Sequence, residues 1–522
     1  MTDVTDRDRQ LEDARRELMR RRLAERGIAT GTVEQPETGG LSDGQRRMWF
    51  VGQADPSGAL LNVCVSYRIT GPVDLDRLHR AMDTVVRRHA ALRTTYRTDA
   101  NGEPQPVVHD ELAAGWAVHD LTDLDGTEAE RQAQRLRLEV LAQRQFGAPF
   151  DLTADAPLRI SVLRTAPDEL IILLVAHHIA WDDGSWAVFF TDLTRAYTGA
   201  PLGPPTRPAE DASSDSQRED DLSYWRAVMS DPPEPLELPG PTGSVVPTTW
   251  RSATTARHLS AATTARVADV ARAAGATPYM VLLAAFGATI FRYTHTGDFL
   301  VATPVVNRGG RAEDAIGYFG NTVAMRMRMR ADTTFTELLA ATRETALGAF
   351  AHQRINLDRV VREINPDRRH GAERMTRVSF GFREPDGGGF TLPGIRCERA
   401  DLRSHLTQLP LGLMVEFTGT GALIEAEHLV EVLEPALVAQ LLDHFVVLLE
   451  SALAQPDTPL CRLDLIDPDG LRWLHEVSAG ERFAAPPATL ADLIEAQVAR
   501  TPDAIAVVYE GRRYTYGEIN AD

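Results

Sequence analysis

One uninterrupted apolar run ends directly at a pair of histidines. Residues 170 to 176 are Leu, Ile, Ile, Leu, Leu, Val and Ala, and His177 and His178 follow at once. A short apolar run rich in Ile and Val is typical of a buried strand rather than a helix. Asp182 lies four residues after the second histidine. The pattern predicts an imidazole held at the end of a rigid core strand, where it can exchange a proton near neutral pH.

Two plainer interpretations of the pair stay open. A single buried histidine is usually structural and satisfied by a backbone carbonyl. A metal site is disfavoured because adjacent strand residues point to opposite faces, so His177 and His178 do not readily reach one ion. Neither a cysteine nor a third histidine stands nearby at ligand spacing. We therefore expect no metal, with one histidine facing the packing and the other facing a cavity.

Composition narrows the class of protein. The chain has 522 residues and a formal net charge of -19, which disfavours nucleic acid as a partner. Cys64, Cys397 and Cys461 are odd in number and far apart, which suits a reducing compartment without disulfides. No apolar stretch approaches the length of a membrane span, and the charged N-terminus has no signal-peptide core. We expect a cytoplasmic, monomeric protein that does not enter a membrane.

The histidine pair and Asp182 resemble the HHxxxDG motif of the condensation-domain superfamily of nonribosomal peptide synthetases. Other stretches resemble further motifs of that superfamily, in its order. They are residues 41–50, 88–96, 277–286, 303–308, 316–322 and 352–360. The resemblance covers about residues 40 to 465. It implies an α/β fold of two chloramphenicol-acetyltransferase-like sandwich lobes, forming a V-shaped pseudo-dimer with a central channel.

The domain organisation follows from the resemblance and from composition. We expect a helical docking element or linker, an N-lobe, a connector rich in Pro, Ser and acidic residues, a C-lobe, a second linker and the start of an adenylation domain. The corresponding ranges are 1–35, 40–200, 201–221, 222–465, 466–485 and 486–522. Residues 504–509 and 513–516 are predicted to be strands, and 514–519 resembles an adenylation-domain motif. A condensation domain followed at once by an adenylation domain in cis is the elongation arrangement.

The resemblance implies amide bond formation between two carrier-bound thioesters. An upstream carrier protein would present an acyl or aminoacyl donor, and a downstream carrier protein an aminoacyl acceptor. Each uses its own 4'-phosphopantetheine arm, so the chain itself is expected to bind no cofactor. Because the chain begins with this domain, we expect the donor to arrive from a separate polypeptide. Two alternatives stay open: an acyltransferase to a soluble amine, and a non-catalytic domain that recruits carriers.

Roles for individual residues also come from the resemblance. His178 is expected to accept the proton of the attacking amine or to stabilise the tetrahedral intermediate. His177 is expected to pack and orient, and Asp182 to hold the loop through Arg308. Arg93 is expected to be structural.

Five residues are predicted to line the substrate channel. They are Trp181, Asp183, Gly184, Ser185 and Asn321. Asp183 stands where the motif has glycine, which predicts either a tolerated turn or a domain that binds carriers but condenses poorly. Trp181 replaces a small residue. Its indole either narrows the donor side, favouring a small aryl acid such as an aminobenzoyl group, or faces the core.

Overall fold

The computed structural model describes most of the chain from residue 40 onward. The described ranges are 40–99, 103–122, 127–204, 215–240, 249–306, 308, 313–355, 357–364, 375–383, 389–480 and 488–521. The predicted docking element at 1–35 and Asn307 of the predicted motif lie outside them. The chain divides into two units, 1–465 and 466–522.

The first half of the larger unit forms an N-lobe around a mixed sheet. Its helices are α1 (Asp43–Ala54), α2 (Leu75–Arg88), α3 (Glu128–Phe146) and α4 (Gly184–Thr198). Its strands are β1 (Asn62–Thr70), β2 (Thr94–Thr98), β3 (Pro104–Val108), β4 (Gly115–Asp120), β5 (Leu158–Ala166) and β6 (Glu169–His177). Every residue of β6 after Glu169 is buried, which confirms the strand predicted from its apolar run.

The second half of this unit forms a C-lobe. Its helices are α5 (Asp215–Val228), α6 (Ala261–Ala273), α7 (Pro278–Thr294), α8 (Phe335–Ala351), α9 (Leu357–Ile364) and α10 (Pro435–Ala454). Its strands are β7 (Ser252–Ser260), β8 (Asp298–Val306), β9 (Gly320–Arg328), β10 (Val378–Arg383), β11 (Arg396–Arg399), β12 (Leu411–Thr418) and β13 (Gly421–Leu429). Helix α7 begins at Thr277, whose hydroxyl accepts the Met280 amide, and its middle is buried on every side.

Strand β11 crosses from one lobe to the other. The C-lobe sheet has the order β7-β13-β12-β10-β8-β9, while β11 pairs with β1 at the edge of the N-lobe sheet β11-β1-β6-β5-β4. Cys397 lies opposite Ile69 in this antiparallel pair. The two lobes are therefore joined by backbone hydrogen bonds as well as by side chains.

The predicted connector is too long at its C-terminal end. Residues 215 to 221 begin helix α5, although their acidic composition was typical of a linker. Asp221 is fully buried and accepts hydrogen bonds from His352 and Arg354. Arg354 compensates a charge that a linker would leave in solvent, and His352 adds a hydrogen bond.

The smaller unit contains α11 (Pro468–Ser478), α12 (Leu490–Arg500), β14 (Ile505–Tyr509), β15 (Arg512–Thr515) and α13 (Tyr516–Ala521). Strands β14 and β15 lie where the sequence predicted two strands, and they pair antiparallel.

Helix α10 alone among the described helices is long and apolar enough by itself to cross a membrane. Helices α6 and α7, which are bent relative to each other, are long and apolar enough only if the pair is taken as one span. Eight residues of α10 are buried in the C-lobe core, from Val438 to Leu453. A buried core helix can have this length and apolar composition without crossing a membrane.

Candidate active site between the two lobes

Strand β6 delivers the histidine pair to the space between the lobes. His177 is its last residue, and a short 3₁₀ turn, His178–Ala180, follows. The His178 amide donates to the Leu61 carbonyl at 2.8 Å, which fixes the start of the turn against the segment leading into β1. Because β6 is buried between neighbouring strands, its end is a rigid anchor for a reactive side chain.

The local hydrogen bond of His178 decides which of its nitrogens carries the proton. Nδ1 lies 2.6 Å from the Trp181 carbonyl oxygen. A carbonyl only accepts, so Nδ1 must donate, and the lone pair of the neutral ring is on Nε2. Burial lowers the pKa of His178, the Trp181 carbonyl and Asp182 oppose that shift, and Arg47 adds to it. The neutral ring is therefore favoured near neutral pH.

His178 lines a cavity of about 360 Å³ to which both lobes contribute. Arg47 and Met48 come from α1 of the N-lobe, and Tyr318 comes from the loop before β9 of the C-lobe. The Tyr318 ring stands edge-on to the imidazole, with ring centroids 5.1 Å apart. The His178 imidazole thus lines a space that is bounded by residues of both lobes.

His177 has a different environment and is not in this cavity. Its ring is buried, and Nδ1 accepts a hydrogen bond from the Ile179 amide at 3.2 Å. Burial, His178 and Arg159 together lower the pKa of His177 to about 3, so the ring is neutral. Phe150 packs against it edge to face. The His177 ring therefore packs in the N-lobe and orients the turn.

Across the described ranges, no group of three or more His, Cys, Asp or Glu residues could hold a metal ion.

Asp182 and Arg308 form a buried ion pair between the lobes. The guanidinium Nη2 lies 2.5 Å from Asp182 Oδ1 and also donates to Ser185 Oγ at 2.8 Å. The other Asp182 oxygen accepts the Phe319 amide at 3.1 Å. Arg308 additionally donates to the Ala315 carbonyl. The carboxylate therefore holds the C-lobe loop that carries Tyr318 against the end of β6.

Ser185 and Asn321 hold the backbone rather than line the channel, which corrects the prediction for both. The Ser185 hydroxyl is fully buried, bonds Asp182 and donates to the Gly317 carbonyl at 3.0 Å. The Asn321 amide donates to the carbonyls of Gln353 and Ile355. Both side chains are buried and hydrogen-bonded to neighbouring loops, and neither lines the His178 cavity.

The prediction that Trp181 lines the channel is wrong. Its indole is fully buried in the N-lobe core, 4.5 Å from Trp186 and 5.4 Å from Phe189 between ring centroids. The 3₁₀ turn ends the strand alternation, so a bulky residue three places after His178 can turn inward. The prediction of a small aryl donor depended on this ring and loses its basis.

Asp183 occupies the position of the motif glycine, whereas Gly184 has the function of that glycine. Asp183 is exposed and takes a right-handed conformation, with φ -60° and ψ -37°, so this position needs no glycine. A Cβ on Gly184 would lie 2.6 Å from Arg308 Nε. The close approach of Arg308 is therefore what requires glycine, and the glycine stands one place later than in the motif. Neither residue is among those that line the His178 cavity.

Some residues of the site were missed although they lie in recognised motifs. Arg47 and Tyr318 line the cavity, and the Gln45 amide holds the Ile179 carbonyl at 3.2 Å. His89 is buried, bonds Asp192, and accepts the Ile316 amide at 3.3 Å. The motifs themselves were the signal that could have identified these residues, because the fold brings motifs that are distant in sequence together at one loop.

Arg93 has the structural position expected of it. It is 9% exposed and donates to the carbonyls of His109 and Asp110. These bonds hold the end of strand β3 against the turn before β2, away from His178. Arg93 therefore supports the backbone of the N-lobe.

Comparison with known proteins agrees with this architecture. A family model for the condensation domain matches residues 37–474. The X-domain from teicoplanin biosynthesis superposes with a TM-score of 0.70 at 24% identity, covering 84% of this chain and 100% of that one. The first condensation domain of the calcium-dependent antibiotic synthetase, in complex with a substrate analogue, gives 0.67 at 22% identity, with 83% and 100% covered. The fold is thus the chloramphenicol-acetyltransferase-like α/β fold that the sequence predicted.

Relatives in sequence are large synthetases. The phosphinothricin tripeptide synthetase PhsC of Streptomyces viridochromogenes is 31% identical over all of this chain and 49% of its own length. The chondramide synthase cmdD of Chondromyces crocatus is 29% identical over 92% of this chain and 13% of its own length. The chain therefore spans at most about half the length of these relatives.

Fold and site together place a buried histidine beside a cavity that two α/β lobes line. The chain belongs to the condensation-domain family of nonribosomal peptide synthetases, whose members form amide bonds.

Proposed function

We propose that this domain transfers an acyl or aminoacyl group from an upstream carrier protein to the amine of an aminoacyl group on a downstream carrier. The observation that carries the proposal is the proton on His178 Nδ1, held by the Trp181 carbonyl at 2.6 Å. It leaves the Nε2 lone pair available on a ring that lines the inter-lobe cavity. A fixed, neutral imidazole can hydrogen-bond an attacking amine.

The reaction balances without any other reagent. The acceptor amine attacks the donor thioester carbonyl, a C–N bond forms, and the C–S bond breaks. The proton lost by the amine passes to Nε2 of His178 and then to the departing thiolate, which leaves as the thiol of the upstream arm. Holding both thioesters at one place converts an encounter of two dilute carriers into a local step.

In this proposal Asp182 and Arg308 are positioning residues that act on the shape of the cavity. Their ion pair holds the loop with Tyr318 and so sets the shape of the cavity around His178. The phosphopantetheine arms belong to the two carriers and enter as parts of the substrates.

The test is a condensation assay read by intact-protein mass spectrometry. An upstream carrier loaded with an aminoacyl donor is mixed with a downstream aminoacyl carrier and with wild-type protein, His178→Ala or His178→Gln. Wild type should move the acyl mass to the downstream carrier, and both variants should lose most of that transfer. A soluble amine in place of the downstream carrier tests the alternative acyltransferase.

Two results would count against the proposal. Efficient transfer to the soluble amine, without need of the downstream carrier, would identify the other acyltransferase class. Carrier binding without transfer by wild type would identify a recruiting domain.

A further inference from the structure

A second cavity, of about 560 Å³, lies beside the His178 cavity. Thr407 and Leu409 line both, so the two spaces are neighbours across this short segment. Residues 64–66 of β1 form one wall of the second cavity, residues 399–404 another, and the face of the C-lobe sheet forms its floor. The reaction described above does not use this space.

The sheet register leads from the His178 cavity into the second one. Ala302, which lines the first, pairs with Ser379, Ser379 with Gly412, and Gly412 with Glu427. Residues in register across adjacent strands project to the same face of a sheet. Three small residues therefore form a track that ends at a glutamate. Three strand spacings amount to about 14 Å.

Glu427 differs from the other acidic residues of this floor. Glu416 pairs with Arg383 at 3.7 Å, and Glu425 pairs with Arg403. Among the described residues, the hydrogen bonds to the Glu427 carboxylate come from two neutral hydroxyls, Ser252 at 2.9 Å and Thr407. The Arg403 guanidinium, which is paired with Glu425, acts on Glu427 through its charge without forming an ion pair with it.

Within the described ranges Glu427 makes no ion pair. It is also largely withdrawn from solvent, and burial raises the pKa of its carboxyl. A carboxylate in such a place is unfavourable until a cation compensates it.

We propose that Glu427 binds the ammonium group of a carrier-bound substrate, at the end of the track from His178. The inference rests on the proposed condensation reaction and adds a class of substrate to it. An ammonium ion would give Glu427 the positively charged partner that Glu416 and Glu425 already have in an arginine. An N-acylated, aryl or lipid chain would leave Glu427 uncompensated and would be disfavoured.

The length of the track limits where that ammonium group can be. The span of about 14 Å runs from Ala302, which lines the His178 cavity, to Glu427. An extended chain advances about 3.5 Å per residue. A peptidyl donor of about three or four residues with a free terminal amine spans this distance. A basic side chain on the acceptor offers the same ammonium chemistry from the other carrier.

Binding can be measured without turnover. The probes are triglycyl pantetheine amide, which has a free amine, and its N-acetyl counterpart, titrated calorimetrically into the protein. Wild type should bind the free amine roughly tenfold more tightly, and Glu427→Gln should remove that preference. Glu416→Gln is the matched control, because its carboxylate already has Arg383, and it should keep the preference. Equal or undetectable affinity for both probes, or a preference retained in Glu427→Gln, overturns the inference.

Turnover then distinguishes the two sources of the ammonium group. In the donor arm, triglycyl and N-acetyltriglycyl carriers react with a glycyl acceptor. In the acceptor arm, lysyl and Nε-acetyllysyl carriers react with the acetylated donor. The arm whose charge preference is lost in Glu427→Gln identifies the source. Failure of wild type to condense either form refutes the condensation proposal, while a Glu427-dependent binding preference would still stand.

Discussion

Nδ1 of His178 lies 2.6 Å from the carbonyl oxygen of Trp181, three residues further along the chain. The contact gives Trp181 a role through its backbone, while its indole lies in the core. It directs the imidazole proton away from the cavity and leaves Nε2 as the basic atom. Burial acts on the same ring by lowering its pKa below the ordinary value of 6.5.

The first prediction concerns the pH dependence of condensation. A lowered pKa keeps His178 in its basic form to lower pH, so the acid limb of the single-turnover rate that depends on this ring should lie below pH 6.5. Titration of the acceptor ammonium group adds a limb that does not depend on His178. His178→Ala should lose roughly 10²-fold to 10⁴-fold in rate, together with the limb below pH 6.5, and should keep the limb of the acceptor. Rates are measured by quenched mass spectrometry from pH 5 to pH 8. A limb above pH 6.5 that is present in wild type and absent in His178→Ala would contradict the assignment of the base.

The second prediction concerns stability and His177. Its folded pKa is about 3 against an ordinary 6.5, so the unfolded chain binds a proton that the folded chain does not. Its contribution is complete above pH 6.5 and is lost as pH falls towards 3. At pH 5 the loss should be about 2 kcal/mol.

The comparison variant is His177→Gln, whose amide oxygen can still accept the Ile179 amide. Denaturant unfolding at pH 7.5 and at pH 5 gives the difference in stability between the two proteins. That difference should change by about 2 kcal/mol in favour of the variant at the lower pH. A difference independent of pH would show that His177 titrates normally.

The third prediction concerns the ion pair between the lobes. Arg308→Ala leaves the Asp182 carboxylate buried without its cation, which should cost roughly 3 kcal/mol of stability and lower the condensation rate as the Tyr318 loop loosens. Adding Asp182→Asn removes the unpaired charge and should restore part of the stability. Thermal and denaturant unfolding of the two single variants and the double variant measure this coupling. Additive losses would mean that the pair does not interact in solution.

How much the sequence could predict differs between the strand and the turn after it. The composition of residues 170–176 was sufficient for β6, because seven apolar residues fit a buried strand and little else. Alternation correctly separated His177 from His178. It stopped being informative at the 3₁₀ turn, which is why Trp181 and Ser185 were assigned to the wrong side.

Long-range relationships could not be read from local pattern at all. Asp182 and Arg308 are 126 residues apart, and only the resemblance to a family suggested that they meet. The pairing of β11 with β1 has no signal in either strand, because strand partners depend on the path of the whole chain. Acidic composition likewise suggested a linker at Asp221, where Arg354 compensates the charge and His352 adds a hydrogen bond.

The fourth prediction separates Asp183 from Gly184. A methyl group on Gly184 would stand 2.6 Å from Arg308 Nε, and Arg308 is already held by Asp182 and the Ala315 carbonyl. Gly184→Ala should therefore displace the guanidinium, with a loss of roughly 1–3 kcal/mol in stability and a slower reaction.

Asp183→Gly is the matched control, because it restores the motif glycine at an exposed position that has ordinary helical geometry. Its condensation rate should stay within about twofold of wild type, since surface changes away from packed groups have small effects. Both variants are assayed by mass transfer between loaded carriers and by thermal unfolding. A large gain in rate for Asp183→Gly would instead mean that the aspartate itself suppresses condensation, and a silent Gly184→Ala would mean that Arg308 can move without loosening the lobes.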